Sequence, residues 1–313
     1  MRWHPISIAL LPPLVLSFVG CTGEAPDATL SSQEAPAALD VEALQAAVGA
    51  EGERNDGEWK WTVPQSDLNV RVEGFRIVPP MGLGSWAAFT PAAEGAAVMG
   101  DIVLLEDEVR PVQQRLLAEG LTITALHKHF LRESPRVAYM HFGGRGPEAE
   151  LGAAVRAVFD EVAALRGGDP GAEPAPTVEN TLDVATIEEI MQHSGTLGGG
   201  VFKVTVGRPD VTLRARGATV STFGGFNTWA AFQGTPERAA VAGDFAMLAD
   251  EVEGVLEALA DHDIEVVVLH NHMIHEEPRI FFLHYWGVGP AEELARGLRA
   301  ALDQTGTPRA EDP

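Results

Sequence analysis

The stretch LHNHMIHEEPRIFFLH, residues 269–284, has the pattern of a β-hairpin that carries histidines on both strands. A His-x-His pair ends the first strand, a Glu-x-Pro-Arg turn follows, and a third histidine lies on the return strand. The same pattern occurs at residues 126–141 as LHKHFLRESPRVAYMH. Of the ten histidines in the chain, six fall at matching places in these two segments. Any chemistry or ligand binding is therefore expected at these hairpins.

The chain is a tandem duplication. A shift of 143 residues aligns the two hairpins and also superimposes Trp86-Ala87-Ala88-Phe89 on Trp229-Ala230-Ala231-Phe232. From residue 86 to residue 160, roughly four positions in ten are identical without an insertion. We therefore expect a first repeat domain at residues 40–163, a linker at 164–182 and a second repeat domain at 183–303. Packing of the two repeats on each other within one molecule is expected as well.

The composition is that of a globular protein and argues against some partners. At 313 residues the chain is long enough for two domains, and 45% hydrophobic residues can build a real core. The formal net charge of −23 would repel the phosphates of a nucleic acid, so no nucleic-acid partner is expected.

The N-terminus predicts export. Residues 1–21 have a short basic start and an apolar stretch that is too short for a comfortable transmembrane span, as in a signal peptide. Cys21, the only cysteine, follows Gly20 at the end of this stretch, as in a bacterial lipobox. We expect a protein held at the cell envelope by a lipid on Cys21, with ordinary cleavage or an uncleaved anchor as alternatives. Residues 22–39 read as a flexible tether and 304–313 as a disordered tail.

The sequence pattern of each repeat predicts the same order of helices and strands. A short helix comes first (residues 41–48 and 184–192), followed by two alternating strands (59–63 and 68–72 in the first repeat) and a third strand (85–89 and 228–232). A long amphipathic helix is then predicted from the apolar stripe Val98, Ile102, Leu105, Val109, Val112 and Leu116. The hairpin and a last helix, which opens at Pro147 or Pro290, complete the repeat. This order predicts an α+β fold, with helices on one face of an antiparallel sheet, close to a ferredoxin-like arrangement.

These motifs resemble the LppY/LpqO-like family of bacterial lipoproteins. The resemblance rests on the Trp-Ala-Ala-Phe segments, Met99-Gly100-Asp101, the acidic stretch 106–109 and the Leu-His-x-His hairpin, and it covers both repeats. The family has no established activity, so the resemblance implies export, a lipid anchor and the tandem domain. The family hairpin usually reads Leu-His-Asn-His, which the second repeat keeps, whereas Lys128 replaces the asparagine in the first.

The histidines are candidate metal ligands. Residues i and i+2 of a strand point to the same face, so His270 projects beside His272, and His127 beside His129. His284, and likewise His141, joins its pair only if the register pairs His270 with Phe282, because a shift of one residue would turn it to the other face.

The hairpin turns add candidate carboxylates. Glu276 and Glu133 could complete a site of three histidines and one carboxylate, a donor set that suits Zn²⁺ or Cu²⁺. In the alternative interpretation the histidines are hydrogen-bonded residues at the edge of the core.

Other residues that recur at matching positions in the two repeats have two interpretations each. Arg279 and Arg136 could bind an anionic ligand or pair with the glutamate of their own turn. The pairs Asp101/Glu108 and Asp244/Glu251 would lie on one helix face as acid–base carboxylates, or the aspartates would cap the helix start. Trp86 and Trp229 fit the core, or else they line a ligand pocket.

Three functions remain open from the sequence. The first is an exported, lipid-anchored two-domain binding protein whose hairpins bind a divalent transition metal or a small polar ligand. The second is a metal-dependent hydrolase or oxidoreductase of the envelope, and the third is a structural envelope module without metal. No Walker loop, Rossmann fingerprint, His-Glu-x-x-His or Gly-x-Ser-x-Gly motif occurs in the sequence.

Overall fold

The structure is a computed structural model and describes residues 38–306. The expected signal peptide, the lipidation site Cys21, nearly all of the tether and most of the tail lie outside the described residues. Within residues 38–306, no helix is both long enough and apolar enough to cross a membrane.

The two repeats contain the same elements in the same order. The first has α1 (Val41–Val48), β1 (Glu53–Asn55), β2 (Glu58–Pro64), β3 (Arg71–Val72), β4 (Phe75–Arg76), β5 (Gly84–Pro91), β6 (Ala96–Leu105), α2 (Val109–Ala118), β7 (Thr122–His127), β8 (Val137–Gly146) and α3 (Glu148–Arg166). The second has α4 (Val184–Met191), β9 (Gly195–Gly198), β10 (Val201–Gly207), β11 (Arg214–Ala215), β12 (Ala218–Thr219), β13 (Asn227–Gly234), β14 (Ala239–Met247), α5 (Val252–Asp261), β15 (Glu265–His270), β16 (Phe281–Gly289) and α6 (Ala291–Leu302).

Each repeat is built on a six-stranded antiparallel sheet. The strand order is β1-β2-β5-β6-β8-β7 in the first repeat and β9-β10-β13-β14-β16-β15 in the second. The central order β5-β6-β8-β7 is that of a ferredoxin-like sheet whose last strand, β5, comes first in the chain. The predicted α+β class, with antiparallel sheets and helices, is confirmed.

The helices cover the outer face of each sheet, and the inner faces pack on each other. In the second repeat, Ala230 and Phe232 of β13 belong to the core beneath the helices. Ala231 between them packs instead in a cluster that includes Val103 and Tyr139 of the first repeat. Both faces of each sheet are therefore buried, and the face between the repeats contains the histidine segments.

The predicted long helix is wrong in its first half. The segment from Val98 to Leu105 is part of strand β6, and the helix begins only at Val109. Because β6 is buried on both faces, its sequence is apolar on both faces apart from Asp101, and it lacks the alternation typical of a strand with one solvent-exposed face. Asp101 therefore lies on a strand, which excludes both the helix cap and the carboxylate pair on one helix face; the same holds for Asp244 on β14.

The second predicted strand of each repeat is short. In the segment 68–72, only Arg71–Val72 are paired, in a two-stranded ribbon with β4 outside the main sheet. Arg214–Ala215 form the matching ribbon in the second repeat.

Each repeat contains a buried arginine that bonds two carboxylates, but the two arginines lie at different positions of the repeat. Arg166 at the end of α3 bonds Glu108 at 2.7 and 2.9 Å, and Arg208 after β10 bonds Glu251 at 2.8 Å through each of two nitrogens. Each also bonds a second carboxylate and a strand carbonyl, which are Asp67 and Val103 for Arg166 and Asp210 and Ala246 for Arg208. Because Glu108 and Glu251 lie 143 residues apart, the two networks are equivalent.

Candidate metal centre

Strand register places an aspartate beside the third histidine of each repeat. Strand β15 pairs His270 with Phe282, so His284 shares the face of His270. On the other side of β16, the cross-strand partner of His284 is Asp244. In the first repeat Asp101 pairs with His141 in the same way. The aspartates thus take the place beside the histidines that the sequence analysis gave to the turn glutamates.

The six histidines form one cluster between the repeats. The rings of His127 and His270 stack with centroids 4.2 Å apart, across the interface between the repeats. The ring centroids of His129 and His284 are 3.8 Å apart, and those of His141 and His272 are 4.0 Å apart. The sequence predicted two related sites, one in each repeat, whereas each close pair here joins one repeat to the other.

Backbone carbonyls fix the orientation of three rings. Nδ1 of His284 lies 2.9 Å from the carbonyl oxygen of Gly243, and Nδ1 of His141 lies 3.1 Å from that of Gly100. His129 makes the same contact with Gly82 at 3.2 Å. A carbonyl can only accept, so each Nδ1 carries the proton and each Nε2 presents a lone pair. Metal-binding histidines are commonly oriented in this way.

Most imidazole nitrogens of the cluster have no hydrogen-bond partner. Both nitrogens of His127, His270 and His272, and Nε2 of His129, His141 and His284, are shielded from solvent and unbonded in the described part of the chain. A buried polar atom without a partner costs about 1–3 kcal/mol. Nine such nitrogens lie together here, and a bound ion could satisfy those that present lone pairs.

Two buried carboxylates lie against the cluster. Oδ2 of Asp244 is 3.2 Å from Nε2 of His272, and Oδ2 of Asp101 is 3.5 Å from Nε2 of His129. Neither contact has the geometry of a hydrogen bond, and Oδ1 of both aspartates is also unbonded. Burial raises the pKa of Asp101, and it raises the pKa of Asp244 well above the usual range. A cation between them would stabilise their ionised forms.

Burial also keeps five of the cluster histidines neutral. Desolvation, with repulsion from neighbouring imidazoles as a smaller contribution, holds the pKa well below 6.5 in the following residues: His127, His129, His270, His272 and His284. Neutral imidazole is the form that binds metals, so these rings are ready to coordinate without first losing a proton.

Three overlapping sets of side chains could hold a metal ion. Within each set the ligand atoms lie within 4.8 Å of one another, and the sets are His127/His129/His284, His127/His141/His270 and Asp244/His270/His284. The first two sets draw on both repeats. Together the sets include the histidines from both ends of each hairpin, so the centre belongs to the whole chain.

The other predicted site residues lie apart from these sets. Glu133 accepts a hydrogen bond from Lys128 at 3.1 Å, and Glu276 lies 3.3 Å from Arg279. Arg136 pairs with Glu106 at 2.9 Å instead of the glutamate of its own turn. Both arginines are exposed, and the carboxylates nearest to the histidines are aspartates. Of the remaining described histidines, His262 and His275 are exposed, and His193 is half-buried.

A cleft opens onto the cluster from one side. It has a volume of about 620 Å³, and its walls include His129, His141, His272 and His284. Trp86 and Trp229, which the sequence placed in the core or in a ligand pocket, are half-buried and line this cleft.

Two lysines that sequence reasoning did not single out also line the cleft. Nζ of Lys60 lies 4.3 Å from the ring centre of Trp86, and Nζ of Lys203 lies 4.3 Å from that of Trp229. Burial lowers the pKa of each lysine to about 8, and for Lys203 the charge of Lys60 adds to this effect. Their matching positions in the two repeats were a signal that could have identified them.

Comparison with known proteins assigns the chain to a family. A family model described as Domain of Unknown Function (DUF1259) matches residues 42–161 and again residues 185–304. The chain belongs to this family. It carries two tandem copies of the domain, which agrees with the repeat seen in the sequence. No curated protein matches the sequence.

Several solved structures have a distant likeness to the chain. A double-ringed trimeric shell protein from the RMM microcompartment is 14% identical, over 68% of this chain and 84% of its own, with a TM-score of 0.19. The trimeric microcompartment shell protein PduB is 10% identical, over 80% and 89%, with a TM-score of 0.18. EtuB from Clostridium kluyveri is 8% identical, over 81% and 91%, also with a TM-score of 0.18. Values this low support no conclusion about fold or function.

Proposed function

We propose that this protein binds a divalent transition metal ion, zinc or copper, in one centre shared by its two repeats. The observation that carries the proposal is the set of nine unbonded, solvent-shielded imidazole nitrogens at the interface. The proposal keeps the function expected first from the sequence, a binding protein, and moves its site from two hairpins to one cluster.

Packing alone gives a poor account of this cluster. Imidazoles that serve only to fill a core normally bond their nitrogens to carbonyls, hydroxyls or water. Here three rings use Nδ1 in this way and leave Nε2 unbonded, while His127, His270 and His272 use neither nitrogen. A metal ion would bind several of these lone pairs at once and would also offset the two buried aspartates.

The donor types favour zinc or copper over harder cations. Neutral imidazoles suit zinc, copper and other late transition metals, whereas calcium and magnesium prefer oxygen ligands. The sets available contain either three histidines or two histidines and one aspartate, and both are usual first shells for zinc.

Metal analysis of the purified chain tests the proposal. We expect the protein to retain about one zinc or copper ion per chain after dialysis, and a His127→Ala/His270→Ala variant to retain almost none. The matched control is His262→Ala/His275→Ala, which removes two exposed histidines and should bind as the parent does. A parent chain that binds neither metal, or a central double variant that binds like the control, would refute the proposal.

A metal-dependent enzyme is the second candidate, and the cleft is the observation that favours it. Four of the six histidines line a cavity large enough for a small molecule, so a metal bound there could keep an open coordination position. Azide added to the copper-loaded protein tests for such a position. A new charge-transfer band would favour catalysis, whereas an unchanged spectrum would favour a closed binding site.

The proposal also includes the place of the protein in the cell. The signal-like residues 1–21 and the resemblance to LppY/LpqO-like lipoproteins support export and a lipid anchor on Cys21. Expression with labelled palmitate should mark the parent chain, and a Cys21→Ser variant should remain unlabelled. Equal labelling of the two would contradict the anchor.

A further inference from the structure

We propose that the cleft beside the histidine cluster binds a small anion whose carboxylate or phosphate group lies between Lys60 and Lys203, next to the metal. This inference rests on the proposed metal centre and names the class of ligand that would share it. It is supported by where the lysines lie, by what they contact and by how few lysines the chain contains.

Lysine is rare in this protein. The chain has only three lysines, Lys60, Lys128 and Lys203, among 22 basic residues. Two of the three occupy the same position in the two repeats, and both line the same cleft. The surface uses arginine for its basic residues, so the cleft is where this acidic protein concentrates its ammonium groups.

The strands direct these lysines towards the metal site. Lys60 lies two residues before Thr62 on β2 and therefore shares its face of the sheet. Thr62 pairs with Trp86, Trp86 with Asp101, and Asp101 with His141, so one row runs across the sheet from the lysine strand to the metal centre. The second repeat builds the matching row with Lys203, Thr205, Trp229, Asp244 and His284.

The ammonium groups lack a close counter-ion. Within residues 38–306, no carboxylate oxygen lies within 4.0 Å of Nζ of Lys60 or Lys203, whereas Nζ of Lys128 is 3.1 Å from Glu133. Lys60 donates one long hydrogen bond, of 3.4 Å, to the carbonyl of Phe223. Two glutamates are near Lys60 and raise its pKa in part: Glu53, its cross-strand partner at the rim of the cleft, and Glu58. Glu58 accepts hydrogen bonds from Thr90 and Ser221.

The two lysines are half-buried in one cleft, and the charge of Lys60 lowers the pKa of Lys203. An anion between the two ammonium groups would offset this repulsion. Such an anion would form charge-assisted hydrogen bonds with both lysines and would face the four histidines that line the cleft, His129, His141, His272 and His284. Threonines and asparagines of the walls, Thr62, Thr205, Asn55 and Asn227, offer further polar contacts. The volume of about 620 Å³ exceeds that of one phosphate group, so the anion is expected to be part of a larger polar molecule.

Calorimetric titration of the full chain tests this inference, with inorganic phosphate and malonate as separate probes. Both are titrated into zinc-loaded protein and into metal-free protein. We expect at least one of them to bind the zinc-loaded chain, and its Kd to rise roughly tenfold in Lys60→Gln and in Lys203→Gln. The control is Arg110→Gln, which removes one exposed positive charge on α2 far from the sheet face and should leave the Kd unchanged.

The outcomes separate this inference from the proposed function. Tight zinc binding with no affinity for either anion up to millimolar concentration would overturn the anion site and leave the metal centre standing. Anion binding that is equally strong in the lysine variants would overturn it as well. If no metal binds, the metal centre fails, and the anion site survives only if a probe still binds metal-free protein in a lysine-dependent way. Preference for phosphate or for malonate identifies the head group.

Discussion

His127 and His270 stack ring on ring at 4.2 Å, with their planes only 14° apart, and each comes from a different repeat. They occupy the same position in the two copies of the sequence, and both nitrogens of both rings are unbonded. This pair therefore lies at the middle of the cluster, where one metal ion can bind residues from both halves of the chain.

A shared centre predicts that each histidine of this pair matters to all of the bound metal. We expect His127→Ala and His270→Ala, made singly, each to weaken zinc binding at least tenfold, because each removes a ligand candidate from the same centre. The measurement is competition for zinc against a chelator of known affinity. Independent sites would give a different result, namely two ions in the parent and the loss of one ion in each variant.

The metal-free protein should lose stability in mild acid. Five cluster histidines have a pKa held well below 6.5 by burial, so below pH 6.5 the unfolded chain binds protons that the folded chain refuses. These histidines therefore cost no stability above pH 6.5. Below it, the free energy of unfolding falls as pH decreases, by up to about 1.4 kcal/mol per pH unit for each proton.

The buried aspartates act in the opposite direction. Because their pKa is raised, the folded chain holds protons that the unfolded chain has lost above about pH 3.8, so stability from this source declines as pH rises. Two aspartates oppose five histidines, so denaturant melts of the metal-free chain should show lower stability at pH 5 than at pH 7.5. Bound zinc should increase the slope, since protons compete with the metal. A flat profile for metal-free protein would contradict the neutral state of these histidines.

Gly82 lies at the contact between the two repeats, beside His129 of the first and Trp229 of the second. It has φ of +93°, and a Cβ there would lie 3.1 Å from both Nδ1 of His129 and the ring of Trp229. Gly82→Ala is therefore expected to cost about 1 kcal/mol or more in stability and also to weaken metal binding by displacing His129. Gly74→Ala is the matched control, because Gly74 has φ of +88° with no atom within 4 Å of the added Cβ. Equal metal affinity in the two variants would show that the crowding is relieved without moving His129.

The buried guanidinium of the second repeat should be a major source of its stability. Arg208→Met would leave Glu251 and Asp210 without their partner, and a cost of about 3–5 kcal/mol is expected in the free energy of unfolding. Arg296→Met removes an exposed pair with Glu292 and Glu293 and should cost less than about 1 kcal/mol. Chemical denaturation of both variants measures the difference, and similar costs would show that burial adds little here.

Local pattern predicted much of this fold. The duplication, the first helix of each repeat and the α+β class could be read from spacing and composition. The hairpin register could not, and the pairing of His270 with Phe282 comes from the structure. The error at Val98–Leu105 came from burial on both faces of β6, which removes the alternation that identifies a strand. Whether one face of a strand is exposed to solvent depends on what packs against the sheet. Here the other repeat packs against it.

The site was predicted only in part for the same reason. The six histidines were found because they recur, but His129 and His272 lie just beyond the ends of β7 and β15, the strands on which the sequence placed them. Asp101 and Asp244 were misplaced together with β6 and β14. Lys60 and Lys203 match between the repeats in the same way, but they were not proposed as site residues. Nothing in the local sequence indicates that His127 and His270 meet, because that contact depends on how two whole sheets face each other.

The division of the cluster between two copies has a consequence for its origin. One copy carries only half of the ligands, so a protein with a single copy would have assembled this centre only by forming a symmetric homodimer. Joining the copies in one chain makes that assembly intramolecular, so binding of a metal at the proposed centre would not depend on protein concentration. It also allows the halves to diverge, as Lys128 opposite Asn271 already illustrates, so a symmetric precursor can become an asymmetric monomer.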